Sequence, residues 1–190
     1  MGFLITAVLA SALIAGGAQA SAKDEVSTEA IDAALLETEF TVLGIGVSFQ
    51  QSFLQRPATR SEMACLNSRI TPLVRDHFDS AKKSALTLEE IQRGNQLASA
   101  NVFAMIRRYI IDHREQLTAE IESAGLNFSH YFLTTAAART NQPAQERNQV
   151  EEFIAWHSGV HPRISAAVGT QTPKLVQDVA IAFVSCRDAP

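Results

Sequence analysis

Apolar residues recur at spacings of three and four from Thr87 to Ile111, which predicts one long amphipathic helix. Thr87 and Glu90 form a capping box at its start, in which each side chain accepts a hydrogen bond from the other residue's backbone amide. Gly94 indicates that a neighbouring helix packs closely here. We expect the rest of the chain to pack around this helix. Its apolar positions are Leu88, Ile91, Ala98, Val102, Met105 and Tyr109, flanked by Phe103, Ile106 and Ile110.

A first helix is predicted upstream of this segment. Ser27 or Thr28 caps it, and its apolar residues continue to about Leu54. Gly44-Ile45-Gly46 lies within it and predicts a kink or a close helix contact. Pro57 ends the element.

A second helix begins at the capping box Thr59-Arg60-Ser61-Glu62 and carries apolar residues to Phe78. Pro72 lies inside its pattern and predicts a kink or a restart. Residues 81–85 are small or basic and are expected to connect this helix to the long one.

The C-terminal third predicts several shorter helices. Two occupy residues 117–126 and 129–140, and a third follows the break at Asn141-Gln142-Pro143 and reaches Trp156. Gly159 and Pro162 interrupt the pattern before a short element at 164–168. A last helix begins at Thr172-Pro173 and is apolar nearly all round, so we expect it to be well buried. These patterns together predict a single all-α domain of about six or seven helices.

The first twenty residues have the pattern of a secretory signal peptide. An uncharged apolar run from Phe3 to Ala15 precedes Ala18-Gln19-Ala20, a small-x-small cleavage site. We expect cleavage after Ala20, or after Ala22, leaving 21–190 as the mature domain in the periplasm or secreted from a bacterial cell. A retained transmembrane anchor is the alternative, but the run is short and Gly16-Gly17 follow it directly. No cysteine lies near the cleavage site, which argues against a lipid anchor, so the membrane is a partner only during export.

Composition narrows the possible partners. The 190 residues are 46% hydrophobic and 19% charged, which is typical of one globular domain. The formal net charge is −4. The sequence has no run of Lys and Arg residues dense enough to indicate nucleic-acid binding. No cofactor motif occurs, because Gly44-Ile45-Gly46 lacks the third glycine of a dinucleotide-binding loop.

Cys65 and Cys186 are the two cysteines of the chain. In an exported protein an even count is most simply explained by a disulfide. The bond would connect the last helix to the N-terminal half. Two free buried thiols are the alternative, and neither cysteine lies in a nucleophile motif.

Three positions are candidates for binding chemistry. His157 and His161 are four residues apart, the spacing of a zinc-binding pair on a helix, but Gly159 and Pro162 make a continuous helix doubtful and favour surface or boundary histidines. Asn95 interrupts the apolar stripe, either as a hydrogen-bonded boundary amide or as a ligand contact. Trp156 is the only tryptophan and is either a core residue or an exposed recognition anchor. We assign no catalytic residue and no definite metal ligand.

The segment from Cys65 to Tyr109 resembles a group of small all-helical periplasmic proteins of unknown function. Leu86-Thr87-Leu88-Glu89-Glu90-Ile91 matches the group's "Leu-Thr-x-Glu-Glu-Ile/Leu" helix start, whereas the positions from Asn101 to Met105 lack its Ser-Pro-x-Gly element. The resemblance implies a helical fold and an envelope location, and it implies no reaction.

Our first hypothesis is a non-catalytic exported module that binds another protein, such as an immunity-type inhibitor, an envelope chaperone or an adaptor. A periplasmic protein that binds a small molecule or a metal is the alternative, and an enzyme of unrecognised type is a further one. A flat, partly apolar surface would favour the first hypothesis. A deep pocket with convergent polar groups would favour an enzyme.

Overall fold

A computed structural model describes residues 23, 25–99, 101–113 and 144–189, and every regular element in these ranges is helical. The all-α prediction is therefore confirmed, whereas the helices predicted between 117 and 140 lie outside the described residues. The elements are α1 (Glu29–Leu35), α2 (Glu37–Ser48) with a π-helical continuation (Phe49–Leu54), α3 (Arg60–Ala85), α4 (Leu88–Ala98), α5 (Asn101–Asp112) and α6 (Ala144–Cys186).

The long helices α3 and α6 pack against each other and form the central pair of the described structure. The shorter helices α1 and α2 cover α3, and α4 packs against both α1 and α6. The prediction that the Thr87–Ile111 helix is central is therefore wrong: in the described structure this segment forms α4 and α5, which pack on the outside of the central pair. It is also divided, because α4 ends at Ala98 and α5 begins at Asn101. The hydroxyl of Ser99, the C-cap of α4, donates to the Asn95 carbonyl. Such local bonds compete with continuation of a helix.

The predicted first helix is also divided, at a residue that its apolar pattern does not distinguish. Leu36 has a left-handed backbone (φ 56°) and separates α1 from α2. This conformation costs a non-glycine residue roughly 1–2 kcal/mol. The Leu36 side chain is almost fully buried, which offsets that cost. The helix runs on through Gly44-Ile45-Gly46 and stops at Leu54, before Pro57.

The prediction of separate helical elements before and after Gly159 is wrong, because α6 is one continuous helix of 43 residues. It passes through Pro162 and Pro173, and α3 likewise continues through Pro72. An interior proline removes one hydrogen bond and leaves a carbonyl four residues earlier without its donor. All three prolines are exposed, as are the residues that carry the freed carbonyls, Ser68, Ser158 and Gly169. Water can therefore satisfy those carbonyls.

The disulfide prediction is confirmed. Cys65 of α3 and Cys186 at the end of α6 are bonded, with their Cα atoms 5.6 Å apart. Around the bond lies an apolar cluster in which Phe49 contacts the ring of Phe183. A second cluster joins α1, α4, α5 and α6 and contains Ile31, Leu35, Leu97, Phe103, Ile106, Val150 and Phe153.

Gly94 permits the close contact between α4 and α6. A Cβ atom at this position would lie 2.4 Å from two ring carbons of Trp156 and 2.8 Å from Ile31 Cδ1. We therefore expect Gly94→Ala to destabilise the protein by about 1–3 kcal/mol through overpacking. Gly159→Ala is the matched control, because a Cβ there meets nothing within 4 Å and alanine favours a helix by about 1 kcal/mol. Urea unfolding of both variants would test this, and equal effects would contradict it.

Candidate functional site

Asn95, a candidate ligand contact in the sequence, joins α4 to the start of α1. Its Nδ2 donates to the Ser27 carbonyl at 2.6 Å, and its Oδ1 is buried without a hydrogen-bond partner among the described residues. This geometry makes Asn95 a boundary amide that fixes the chain before α1.

Trp156 packs against the core where α6 meets α4 and α1. Its indole ring covers Gly94 and packs beside the Phe153 ring, with ring centroids 5.5 Å apart. Its Nε1 is buried and has no hydrogen-bond partner in the part of the chain that the structure describes. The side chain is half-buried, with its ring packed against the apolar cluster that joins α1, α4, α5 and α6.

His157 and His161 lie side by side on α6, with their ring centroids 5.1 Å apart. The continuous helix through Gly159 and Pro162 brings them together, although the sequence made such a helix doubtful. His157 is buried and also stacks near Phe153. Within residues 25–99, 101–113 and 144–189, no group of three or more His, Cys, Asp or Glu side chains is arranged to hold a metal ion.

A buried ionic cluster lies close to these histidines, where α1, α2, α3 and α6 meet. Residues 81–85 were predicted to be a connector between two helices, but they form the last turn of α3, and Lys82 within them is fully buried. Its Nζ pairs with Glu37 Oε2, lies 4.0 Å from Asp32 Oδ1, and lies 5.1 Å from the centre of the Phe78 ring. The cluster attaches the corner between α1 and α2 to α3.

The pKa values in this cluster are shifted by burial. Burial raises the pKa of Glu37, and the positive charge of Lys82 opposes that rise. Burial, together with the charge of Lys82, lowers the pKa of His77, also on α3. One sequence signal could have located this cluster: Glu37 and Glu39 are acidic residues of a first helical turn, which indicates a helix start at residue 37.

Glu62 connects three segments near the disulfide. Its two carboxylate oxygens accept bonds from the Arg56 guanidinium at 2.7 and 2.8 Å, from the Thr59 amide at 2.7 Å and from the Asp188 amide at 3.1 Å. The Arg56 guanidinium, followed by the Thr59 amide, holds the pKa of Glu62 far below its usual range. The capping box predicted at Thr59 is confirmed, and so is the one at Thr87.

The lowered pKa of Glu62 predicts an acid-dependent loss of stability. A carboxyl whose folded pKa is depressed stabilises the protein above its unfolded pKa of about 4.3, and this contribution is lost as the pH falls below that value. We expect Glu62→Gln to be less stable than wild type at pH 7 and to lose less stability between pH 5 and pH 3. Denaturant unfolding at each pH measures this. Glu151→Gln, which removes an exposed carboxylate, controls for the loss of one charge. A wild-type pH slope in Glu62→Gln would contradict the prediction.

A groove of about 500 Å³ lies between the α1–α2 corner, α3 and α5. Its apolar wall includes Leu43, Val47 and Ile111, which are 44%, 41% and 51% exposed. Asp32 and Thr38 are the buried polar residues that line it. The sequence did not single out any of these residues, because they belong to different helices.

The C-terminal half of α6 is an exposed apolar helix face, contrary to the predicted burial of the last helix. Val176, Ile181 and Val184 are 61%, 57% and 68% exposed. The one charged residue between Lys174 and Arg187 is Asp178, which lies half-buried in a crevice against α3. The helix therefore presents an outward stripe, Pro173, Val176, Gln177, Ala180, Ile181 and Val184, without a charge.

In the described part of the chain no helix has the length and apolar character needed to cross a bilayer. The chain matches no protein-family model, no curated protein and no solved structure, so the resemblance of residues 65–109 to small periplasmic helical proteins stays a prediction.

Proposed function

We propose that this protein is a non-catalytic exported module that binds another protein through the outward stripe of α6. The observation that carries the proposal is the exposure of three large aliphatic side chains, Val176, Ile181 and Val184, on one uncharged helix face. Contiguous exposed apolar surface on a soluble domain marks sites of protein interaction.

The geometry of the stripe fits recognition between helices. Val176, Ala180 and Val184 follow one another at spacings of four residues, so their side chains lie in a row along α6. Ala180 in the middle of the row lets a partner approach closely. Aliphatic anchors at such spacings are the usual contacts of a helix packed against a partner's groove or helix.

The stripe is also held rigidly, which favours binding because little conformational freedom remains to be lost. Cys186, two residues after Val184, is bonded to Cys65 of α3. Ala182, on the opposite side of the same turn, is buried in the cluster around the disulfide. Export to an oxidising compartment is supported by this disulfide and by the signal pattern of residues 1–20.

The test is affinity capture from a bacterial envelope extract with three oxidised mature proteins. Val176→Lys/Val184→Lys places two charges on the stripe, and Asn148→Lys/Ser158→Lys adds the same charge at exposed positions elsewhere on α6. We expect one stoichiometric partner to bind wild type and the control but not the stripe variant. Equal capture by both variants, or no stoichiometric partner, would refute the proposal.

A further inference from the structure

The groove between the α1–α2 corner, α3 and α5 has the size and lining of a small-molecule site, and among the described residues its lining includes none of the stripe on α6. Its volume of about 500 Å³ lies within the range of about 300–1,000 Å³ typical of ligand pockets. Val47 and Leu43 of α2 and Ile111 of α5 provide exposed aliphatic surface along it. An apolar body of moderate size would cover that surface.

The buried polar side chains of the groove accept hydrogen bonds. Asp32 is 8% exposed, and its Oδ1 accepts the Thr38 backbone amide at 3.1 Å, while Oδ2 has no hydrogen bond within the described residues. Thr38 is 5% exposed, and its hydroxyl has no hydrogen-bond partner within the same ranges. A buried polar group without a partner is costly. A ligand that donates hydrogen bonds would remove that cost.

The charges around this end of the groove favour a cation. Lys82 is the nearest cation to Asp32, at 4.0 Å, but it pairs more closely with Glu37. Arg107 and Glu39, at the other side of the groove, pair with each other. The groove is lined by three acidic residues, Glu29, Asp32 and Glu39, and by two basic residues, Arg75 and Arg107, which leaves one excess negative charge.

We propose that this groove binds a small molecule with an apolar body and a protonated primary amine. The ammonium group would donate to Asp32 Oδ2 and to the Thr38 hydroxyl, and the apolar body would lie along Leu43, Val47 and Ile111. A threonine on a helix populates two rotamers, so its hydroxyl can turn towards a ligand without moving the backbone. Arg75, which lies at the exposed edge of the groove, makes a carboxylate-headed ligand the competing possibility.

Three probes with the same eight-carbon chain separate these possibilities: n-octylammonium, 1-octanol and octanoate, titrated into the full oxidised protein by calorimetry at pH 7. We expect n-octylammonium to bind at least about tenfold more tightly than the other two, because a hydrogen bond to a charged group is worth about that factor. Tightest binding of octanoate, equal binding of all three probes, or binding of none would overturn the proposal.

Two variants connect the preference to the named residues. Thr38→Val keeps the shape of the side chain and is expected to weaken n-octylammonium binding about fivefold. Asp32→Asn is expected to abolish the preference for the amine over 1-octanol, and its circular dichroism must match wild type for this comparison. If Asp32→Asn misfolds, the affinity of Thr38→Val for n-octylammonium tests the proposed site. Wild-type affinity in Thr38→Val would overturn the assignment. The stripe variant Val176→Lys/Val184→Lys should bind n-octylammonium as wild type does, so this proposal can fail or hold independently of protein binding through α6.

Discussion

Replacing Lys82 with methionine is expected to destabilise the protein by about 3–5 kcal/mol. Methionine has nearly the same shape as the buried part of lysine, so the core stays filled while the charge is lost. Glu37 then lies buried beside Asp32 without its counter-charge, and removal of one partner from a buried ion pair has a cost of this size. Denaturant unfolding at pH 7 measures the change.

The same variant should respond to pH in a defined direction. Burial already raises the pKa of Glu37, and loss of Lys82 removes the main influence that opposes the rise. A carboxyl whose folded pKa is raised binds its proton more tightly in the folded state. The variant should therefore recover stability relative to wild type as the pH falls from 7 towards the unfolded pKa of about 4.3.

Two further variants separate the ion pair from a general effect of removing a lysine. Lys83→Met alters the neighbouring residue, which is partly exposed and pairs with Asp79, and is expected to cost less than about 1 kcal/mol. The double variant Lys82→Met/Glu37→Gln should be more stable than Lys82→Met alone, because the uncompensated charge is gone. If Lys82→Met lowered the free energy of unfolding by less than about 1 kcal/mol, the Lys82–Glu37 ion pair would not be the main interaction that stabilises this part of the core.

Removal of the disulfide is expected to cost about 4–5 kcal/mol. The bond joins residues separated by 121 positions, and in the chain-entropy model a loop of that length restricts the unfolded chain by about this amount. Cys65→Ala/Cys186→Ala is the suitable variant, because Cys186 is fully buried and serine would bury an additional hydroxyl there. Equilibrium unfolding of the oxidised protein and of the variant gives the difference.

Reduced wild-type protein provides an independent comparison for the disulfide. It should have nearly the stability of the alanine variant, because both lack the cross-link and differ only in two sulfur atoms. If the reduced protein were within about 1 kcal/mol of the oxidised one, the bond would not be the main constraint on α6. The outward stripe would then lose the rigid support that favours binding.

Several features of this protein are determined by residues close together in the sequence, and the sequence predicts them correctly. The capping boxes at Thr59–Glu62 and Thr87–Glu90 need two side chains three residues apart. Apolar spacing of three and four, with no strand-like alternation, is enough to predict an all-α fold. The pairing of Cys65 with Cys186 was predicted because the chain has two cysteines. Close packing at Gly94 was predicted because a glycine lies inside a helical pattern.

Other features are decided by contacts between residues far apart in the chain. The left-handed backbone of Leu36 divides the predicted first helix, and the burial of the Leu36 side chain offsets the cost of that conformation. The helix α6 continues through Pro162 and Pro173 while it packs along α3. Lys82 looks like a surface lysine until the α1–α2 corner brings Glu37 to it. The groove and the exposed stripe on α6 likewise exist only once the helices have packed. Local rules describe what a segment can form, but burial and charge pairing depend on which segments meet.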